Sequence, residues 1–248
     1  MLQIFSKKQF LKDLLENFVD IHNHILPGID DGEKNVYKSI DLIKKLEELG
    51  VKHFIATPHI MQDFYPNTNE TIDNAYKLLL KNLNKKPQTG ITINTAAEYM
   101  LDNEFEKILE DGNILTLKSN YVLIEMSYFQ PPLNLEPLIL KIKTEGYLPV
   151  LAHPERYGFY HNSLDYYDRL KQLGCLFQLN LLSLSEYYGN SVEKTANYLI
   201  NKNLIDFVAT DAHNSLQIEK LSNLVLNKKT SEKILSLINN TNTTFSII

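Results

Sequence analysis

The chain has 248 residues and a single cysteine, Cys175. That excludes an internal disulfide framework and fits a reducing compartment. It also excludes a cysteine-dependent phosphatase, which uses Cys-x5-Arg, because the sixth residue after Cys175 is Leu181. Cys175 stands at the start of an expected strand and reads as a small core residue. Arginine is nearly as scarce: Arg156 and Arg169 are the only two among 25 basic residues, and the net charge is −5. No basic stripe is visible, so nucleic acid is not expected as the main partner; phosphate-backbone binding needs clustered positive charge. No apolar run is long enough to span a bilayer. Met1 to Asn17 carries acids and only short apolar pairs, which does not suit a signal peptide. The expectation is a cytoplasmic protein that is not an integral membrane protein. None of the nine glycines forms a dinucleotide fingerprint, and no Gly-rich loop with Lys follows a strand, which argues against an NTPase.

What the chain does have is a hydrophobic content of 44%, enough for a sizeable core, with no compositional break. One domain over residues 1–248 is expected. Lys7 to Asn17 reads as a short amphipathic helix, with Phe10, Leu11, Leu14 and Leu15 on one side. It could cap the bottom of a barrel. Strands are expected at Val19–His24, running into a turn, and at Val51–Thr57, Ile91–Ala97, Tyr121–Ile124, Leu148–Ala152, Leu176–Leu179 and Ile205–Ala209. Helices are expected at Asn35–Leu49, Thr71–Leu83, Asn103–Leu109, Leu135–Thr144, Leu164–Leu173 and Ser191–Asn201. Two more helical stretches close the chain, near Leu216–Leu226 and Ser231–Ile238, and Asn239–Ile248 has no clear pattern. Alternation of apolar, β-branched strands with helices predicts parallel strands with helices outside. Seven such units suit a closed or nearly closed barrel, an α/β fold.

The stretch Val-Asp-Ile-His-Asn-His-Ile-Leu-Pro-Gly-Ile-Asp-Asp-Gly, residues 19–32, is the most informative. Side chains two apart on a strand share a face, so His22 and His24 can reach one point. Pro27, Gly28 and Gly32 force an irregular loop that returns Asp30 and Asp31 towards it. Such a set suits a divalent metal. H-x-H alone also fits two surface histidines beside an acidic turn. The remaining strand ends add His59, Glu98, Glu125, His153, Asp211 and His213. Barrel enzymes build their sites at the C-terminal ends of their strands. With His22, His24 and Asp31 this makes nine metal-capable groups. Clustered carboxylates without cations would repel one another and shift their pKa values upwards. Nine ligands exceed the four or so that one zinc takes, so two or three ions are expected.

The stretches Asp20–Gly32, Ala56-Thr-Pro-His59, Ala97-Glu-Tyr99, Leu123-Ile-Glu-Met-Ser127, Ala152-His-Pro-Glu-Arg-Tyr157 and Thr210-Asp-Ala-His213 resemble, in order, the motifs of the polymerase-and-histidinol-phosphatase (PHP) superfamily. Within it they look like the CpsB/YwqE-like tyrosine-protein phosphatases of bacterial capsule and exopolysaccharide operons. The resemblance implies a distorted seven-stranded β/α barrel of the PHP fold, a trinuclear centre (often manganese, sometimes iron or zinc) and phosphotyrosine hydrolysis. It implies His22, His24, Glu98 and Asp211 as ligands of a first ion, and Glu98, Glu125 and His153 of a second, with Glu98 bridging. Asp31, His59 and His213 would hold a third. Arg156, three residues past His153, matches the family's phosphate-binding arginine, although a salt bridge with Glu155 is the plainer alternative. The family often carries another arginine shortly after Asp-x-His, and Ser215-Leu-Gln-Ile-Glu-Lys220 has none. The substrate implied is a phosphotyrosine protein, the tyrosine-rich tail of a bacterial tyrosine kinase. Two rivals stay open: a small-molecule phosphatase such as histidinol phosphatase, and a catalytically silent metal-binding partner module. Phe64-Tyr65, Phe129, Tyr157-Gly-Phe-Tyr160 and Tyr187-Tyr188 follow barrel strands and could line a cleft for a flat ring, or pack on one another.

Overall fold

A computed structural model describes residues 9–83 and 90–246. In chain order the elements are β1 (Gln9–Phe10), β2 (Phe18–Asp20), α1 (Val36–Glu48), β3 (Val51–Ala56), β4 (His59–Ile60) and α2 (Asn69–Leu83). There follow β5 (Thr92–Thr95), β6 (Glu98–Met100), α3 (Asn103–Glu110), β7 (Tyr121–Glu125), α4 (Leu135–Thr144) and β8 (Leu148–Ala152). The chain ends with α5 (Tyr166–Gln172), β9 (Leu176–Asn180), α6 (Asn190–Asn201), β10 (Phe207–Ala209), α7 (Ser215–Ser222), β11 (Val225–Leu226) and α8 (Lys228–Phe245).

Helices α1 and α3 form where the sequence supplies both a cap and an apolar stripe. Asn35 caps α1 by accepting from the amides of Tyr37 and Lys38, and Ile40, Ile43 and Leu46 face the core. Asp102 does the same for α3 through Glu104 and Phe105. Gly50 ends α1 with φ +107°, and a Cβ there would run into the Leu15 carbonyl oxygen.

The parallel strands run in the orders β10-β9-β8-β7-β6-β4 and β2-β3-β5. The two groups are one ring. β3 passes into β4 through Thr57-Pro58, and β5 into β6 through Ala96-Ala97. Hydrogen bonds bridge both gaps, from the Ala96 amide to the Ala56 carbonyl and from the Glu98 amide to the Pro58 carbonyl. The first and last strands close the ring: the Asp211 amide donates to the His22 carbonyl at 2.8 Å, and the His24 amide to the Ala212 carbonyl at 3.0 Å. Asp20 reinforces this seam, accepting from the Thr210 amide and hydroxyl at 2.9 and 2.6 Å. The result is the seven-stranded β/α barrel expected, distorted where strands two and three break and resume. His59 and Glu98 therefore lie within paired strand segments rather than just beyond strand ends.

Both chain ends differ from expectation. The helix expected at Lys7–Asn17 is a single 3-10 turn, Leu11–Leu14, and Lys7 and Lys8 lie outside the described residues. Gln9 and Phe10 pair instead with Leu226 and Val225, and Asn17 turns away at φ 57°. Backbone pairing outweighs a short amphipathic pattern here. Nor does this segment plug the barrel. The plug is the end of α8, which runs on through 239–245, where no clear pattern was read; residues 247–248 lie outside the described residues. The Phe245 ring meets Phe207 at 4.9 Å and Tyr121 at 5.2 Å, both edge to face. Thr241 and Asn242 accept hydrogen bonds from the amides of Val208 and Val19. Val19, Ile21, Ile55, Leu123 and Val150 continue this inner core.

Candidate metal centre

All nine expected ligand residues meet at the upper end of the barrel. His22 and His24 lie just past β2, fully buried, with their Nε2 atoms 3.3 Å apart. Glu98 stands at the centre. Its Oε1 is 3.0 Å from His153 Nε2, and its Oε2 is 3.1 Å from His22 Nε2 and 3.1 Å from His59 Nδ1. Glu125 Oε1 lies 2.8 Å from His59 Nδ1. Asp211 Oδ1 lies 3.3 and 3.4 Å from His22 and His24 Nε2. Asp31 Oδ1 lies 3.4 Å from His59 Nε2 and 3.2 Å from His213 Nε2.

Four groups have the spacing to hold an ion: His24, Asp31, His59 and His213; His22, His24 and Asp211; His22, Glu98 and His153; and His59, Glu98 and Glu125. Glu98 is shared between two of them. The grouping differs from the one implied by resemblance, because His59 presents one ring nitrogen to Glu98 and Glu125 and the other to Asp31. The donor set fits divalent ions. Glu98 Oε2, Glu125 Oε1 and His59 Nδ1 are buried without a hydrogen-bond partner, although His59 Nδ1 lies 3.1 and 2.8 Å from the two oxygens. Atoms that face a shared point rather than each other are what a cation requires.

The four ligand carboxylates do not all shift upwards, as repulsion alone would have them: against burial, neighbouring imidazoles hold Asp31, Glu98 and Asp211 below the usual carboxylate range, and only Glu125 rises. Burial would raise Glu98, yet the His22 and His59 imidazoles hold it well below the carboxylate range. Burial opposes a proton on His24, but Asp30 and Asp211 lift it to about 10. Glu125 is raised, by burial and by Glu98. With protein charges alone the cluster demands positive charge. His153 differs: burial and Arg156 push it down to about 4, leaving a neutral imidazole.

The backbone bends to bring these groups in. His153 and Asp211 adopt φ of 35° and 50°. That left-handed region costs about 1–3 kcal/mol for a non-glycine residue and is characteristic of functional sites. Gly32 has no room for a Cβ, which would run into the His24 carbonyl oxygen; only glycine lets the Asp30-Asp31 turn pack this closely.

Three buried residues orient it: Asp30, which the loop is expected to return to this point, and Gln178 and Asn180, which sequence reading did not place in the site. Gln178 Oε1 lies 2.8 Å from His22 Nδ1, Asp30 Oδ2 lies 2.7 Å from His24 Nδ1, and Asn180 Nδ2 donates to Asp211 Oδ2 at 2.9 Å. A ligand imidazole that donates its other N–H to such a partner has its tautomer and ring angle fixed. Gln178 and Asn180 could have been found as the inward positions of strand six, since Gln178 is polar in an otherwise apolar strand.

Arg156 does not pair with Glu155. Its Nη1 donates to Asp211 Oδ2 at 2.7 Å, while Glu155 turns into the core and accepts from the Asn180 amide. Arg156, with a side chain 20% exposed, borders a cleft of about 410 Å³ over the centre. Asp31, Glu125, Phe64, Tyr65, Tyr128 and Phe129 also line this cleft. Tyr65 stacks on the His59 ring at 5.6 Å and Tyr128 on the His153 ring at 5.8 Å. Phe64 and Phe129 are 75% and 94% exposed at the rim. Tyr157 and Tyr160 are buried and pack with Phe159, so they are core and not cleft.

The family model "Capsular polysaccharide synthesis, CpsB/CapC" matches residues 18–246. CapC of Staphylococcus aureus is 34% identical over 197 residues, which are 79% of this chain and 76% of that protein. The tyrosine-protein phosphatase YwqE of Bacillus subtilis is 32% identical over 197 residues, 79% and 77% of the two chains. Among solved structures, one from the pair YwqE from Bacillus subtilis and CpsB from Streptococcus pneumoniae, metal-dependent tyrosine phosphatases, aligns with a TM-score of 0.80 at 29% identity, covering 92% of this chain and 94% of that one. Histidinol phosphate phosphatase of Lactococcus lactis aligns with a TM-score of 0.53 at 14% identity and shares the fold. The likeness read from the sequence motifs is borne out, and the chain belongs to the CpsB/CapC family of capsular polysaccharide synthesis.

Proposed function

We propose that this chain is a metal-dependent protein-tyrosine phosphatase of capsule and exopolysaccharide synthesis, built as one metallophosphatase domain. The observation that carries the reading is the arrangement of nine ligand groups beneath a cleft with an arginine at one edge and aromatic rings on both walls. His22, His24, Asp31, His59, Glu98, Glu125, His153, Asp211 and His213 would hold two or three divalent ions, manganese first, with iron and zinc compatible with the same donors. When bound, such ions lower the pKa of coordinated water to about 7 and neutralise phosphoryl charge.

The remaining work falls to the chain's own side chains. Arg156 presents its fork to the phosphoryl oxygens, which its fixed charge and planar geometry suit. Tyr65 and Tyr128 wall the space where a phenyl ring would lie, and Phe64 and Phe129 extend that apolar surface to the rim. Gln178 and Asp30 keep the Nε2 lone pairs of His22 and His24 turned inward. A phenol leaving group with a pKa of about 10 departs with little acid assistance. Among the described residues no helix is long and apolar enough to cross a membrane. A cytoplasmic enzyme acting on the tyrosine-rich tail of a bacterial tyrosine kinase follows from this reading. A disordered tail can thread into an open cleft at low affinity per contact.

The test is selectivity. Metal-loaded protein should hydrolyse a phosphotyrosine peptide faster than a phosphoserine peptide or histidinol phosphate. A preference for histidinol phosphate would move the assignment to a small-molecule phosphatase, and inactivity on all three to a silent metal-binding module.

A further inference from the structure

Arg156 must reach phosphate without being pulled away by its surroundings, and its own contacts raise the question of what fixes it. A single hydrogen bond, to Asp211, holds the guanidinium; its other N–H groups have no protein acceptor among the described residues. One bond leaves a long side chain free to swing about it. Two aromatic faces remove that freedom. The guanidinium carbon lies 4.3 Å from the centre of the Tyr188 ring and 4.9 Å from that of Tyr128. Tyr128 lines the cleft, whereas Tyr188 does not. Tyr188 thus touches the arginine without facing the substrate space.

Tyr188 is itself fastened at its hydroxyl. Asn180 Nδ2 and Gln217 Nε2 both donate to it at 3.3 Å. The orientation of each amide is forced by a backbone N–H. Asn180 Oδ1 accepts from the Leu182 amide, and Gln217 Oε1 accepts from the His213 amide at 2.7 Å. Asn180 also donates to the same Asp211 oxygen that takes Arg156. Two separate segments, the end of β9 and the start of α7, therefore converge on this tyrosine.

We propose that Tyr188 is a positioning residue for Arg156: its ring face, locked by Asn180 and Gln217, holds the guanidinium so that the unpaired N–H edge meets phosphate oxygens at the cleft. This rests on the phosphatase reading of the site. A guanidinium face on an aromatic ring is worth enough to change affinity by about two- to thirtyfold. The ring matters for the stacking, and the hydroxyl matters only for fixing the ring. The prediction is therefore ordered by side-chain shape.

The experiment compares wild type with Y188F, Y188L, R156A and the double variant R156A/Y188L, each metal-loaded and checked for metal content and thermal melting. Two readouts are taken: calorimetric affinity for inorganic phosphate, and kcat and KM on a phosphotyrosine peptide. Y188L is expected to weaken phosphate binding about tenfold and to raise KM more than it lowers kcat, with metal content unchanged. Y188F should stay within about threefold of wild type. In the R156A background Y188L should have no further effect, because the group it positions is gone. An equal effect of Y188L with and without Arg156, or wild-type phosphate affinity in Y188L, would overturn the proposal. If Y188L does not fold, Y188M enters the same cycle under the same criteria. Should wild type leave the phosphotyrosine peptide intact, the functional reading fails, and the phosphate affinities alone decide the role of Tyr188.

Discussion

At the lower end of the barrel, Phe245, Phe207 and Tyr121 meet edge to face over an apolar interior. At the upper end, a few residues further along the same strands, three carboxylates and five histidines crowd around a fourth carboxylate, Glu98. The lower end is what a stable core looks like: complementary rings, no charged side chain in its buried cluster among the described residues, and backbone amides paired to Thr241 and Asn242. The upper end works against folding. It buries like charges, leaves polar atoms unpaired and holds His153 and Asp211 in the left-handed region. The contrast teaches that each strand carries two tasks along its length, with apolar residues anchoring one end so that strained, charged ones can be held at the other.

The comparison can be broken at either end. The largest effect is expected from Glu98→Gln, which removes the carboxylate shared by two of the candidate ion sites. Groups that merely orient a ligand cost about 10–100-fold in metal affinity or activity, so losing the shared ligand should cost at least that in both. Elemental analysis and kcat/KM on a phosphotyrosine peptide would be read together, and unchanged values in both would remove the metal centre from the account. Next comes Arg156→Ala. One charge-assisted contact of about 1.5–3 kcal/mol corresponds to a loss of about one to two orders of magnitude in kcat/KM. Arg156→Lys should fall between that variant and wild type. Because Arg156 bonds the Asp211 oxygen turned away from His22 and His24, metal content should be retained.

At the lower end, Phe245→Ala should cost about 3–5 kcal/mol of stability by denaturant unfolding. The folded fraction should keep its metal and turnover, and a large drop in specific activity of folded protein would mean that the two ends are not separable. The smallest effect is expected at Cys175, where burial pushes the thiol up to about 12. Cys175→Ala should leave kcat/KM unchanged, and thiol reagents should not inhibit the native protein. Inhibition that the alanine variant abolishes would reopen cysteine chemistry.

The upper end was the more legible of the two in the sequence. His-x-His, Asp-x-His and lone Glu or His residues at the close of apolar runs stand out because chemistry needs those residue types there. Their partners across the barrel did not stand out. Gln178 and Asn180 become meaningful only when strand six lies beside His22 and Asp211, and no local pattern carries that adjacency. The lower end was hidden for a different reason. The run Asn239-Asn-Thr-Asn-Thr-Thr244 has poor intrinsic helix propensity, and its helix is held by tertiary contacts through Thr241, Asn242 and Phe245. At the other terminus, Leu11, Leu14 and Leu15 are buried, but Phe10, expected on the same side, is 43% exposed, and pairing of Gln9 and Phe10 with Leu226 and Val225 replaced the expected helix.

The claim on which the account depends is that the upper cluster holds catalytic metal. Its most direct test is elemental analysis of protein purified without chelator, with phosphotyrosine hydrolysis followed as the metals are stripped and returned. Two or three divalent ions per chain are expected, with activity that falls in step with their removal and recovers when manganese is restored. Full hydrolysis by metal-free protein would contradict it.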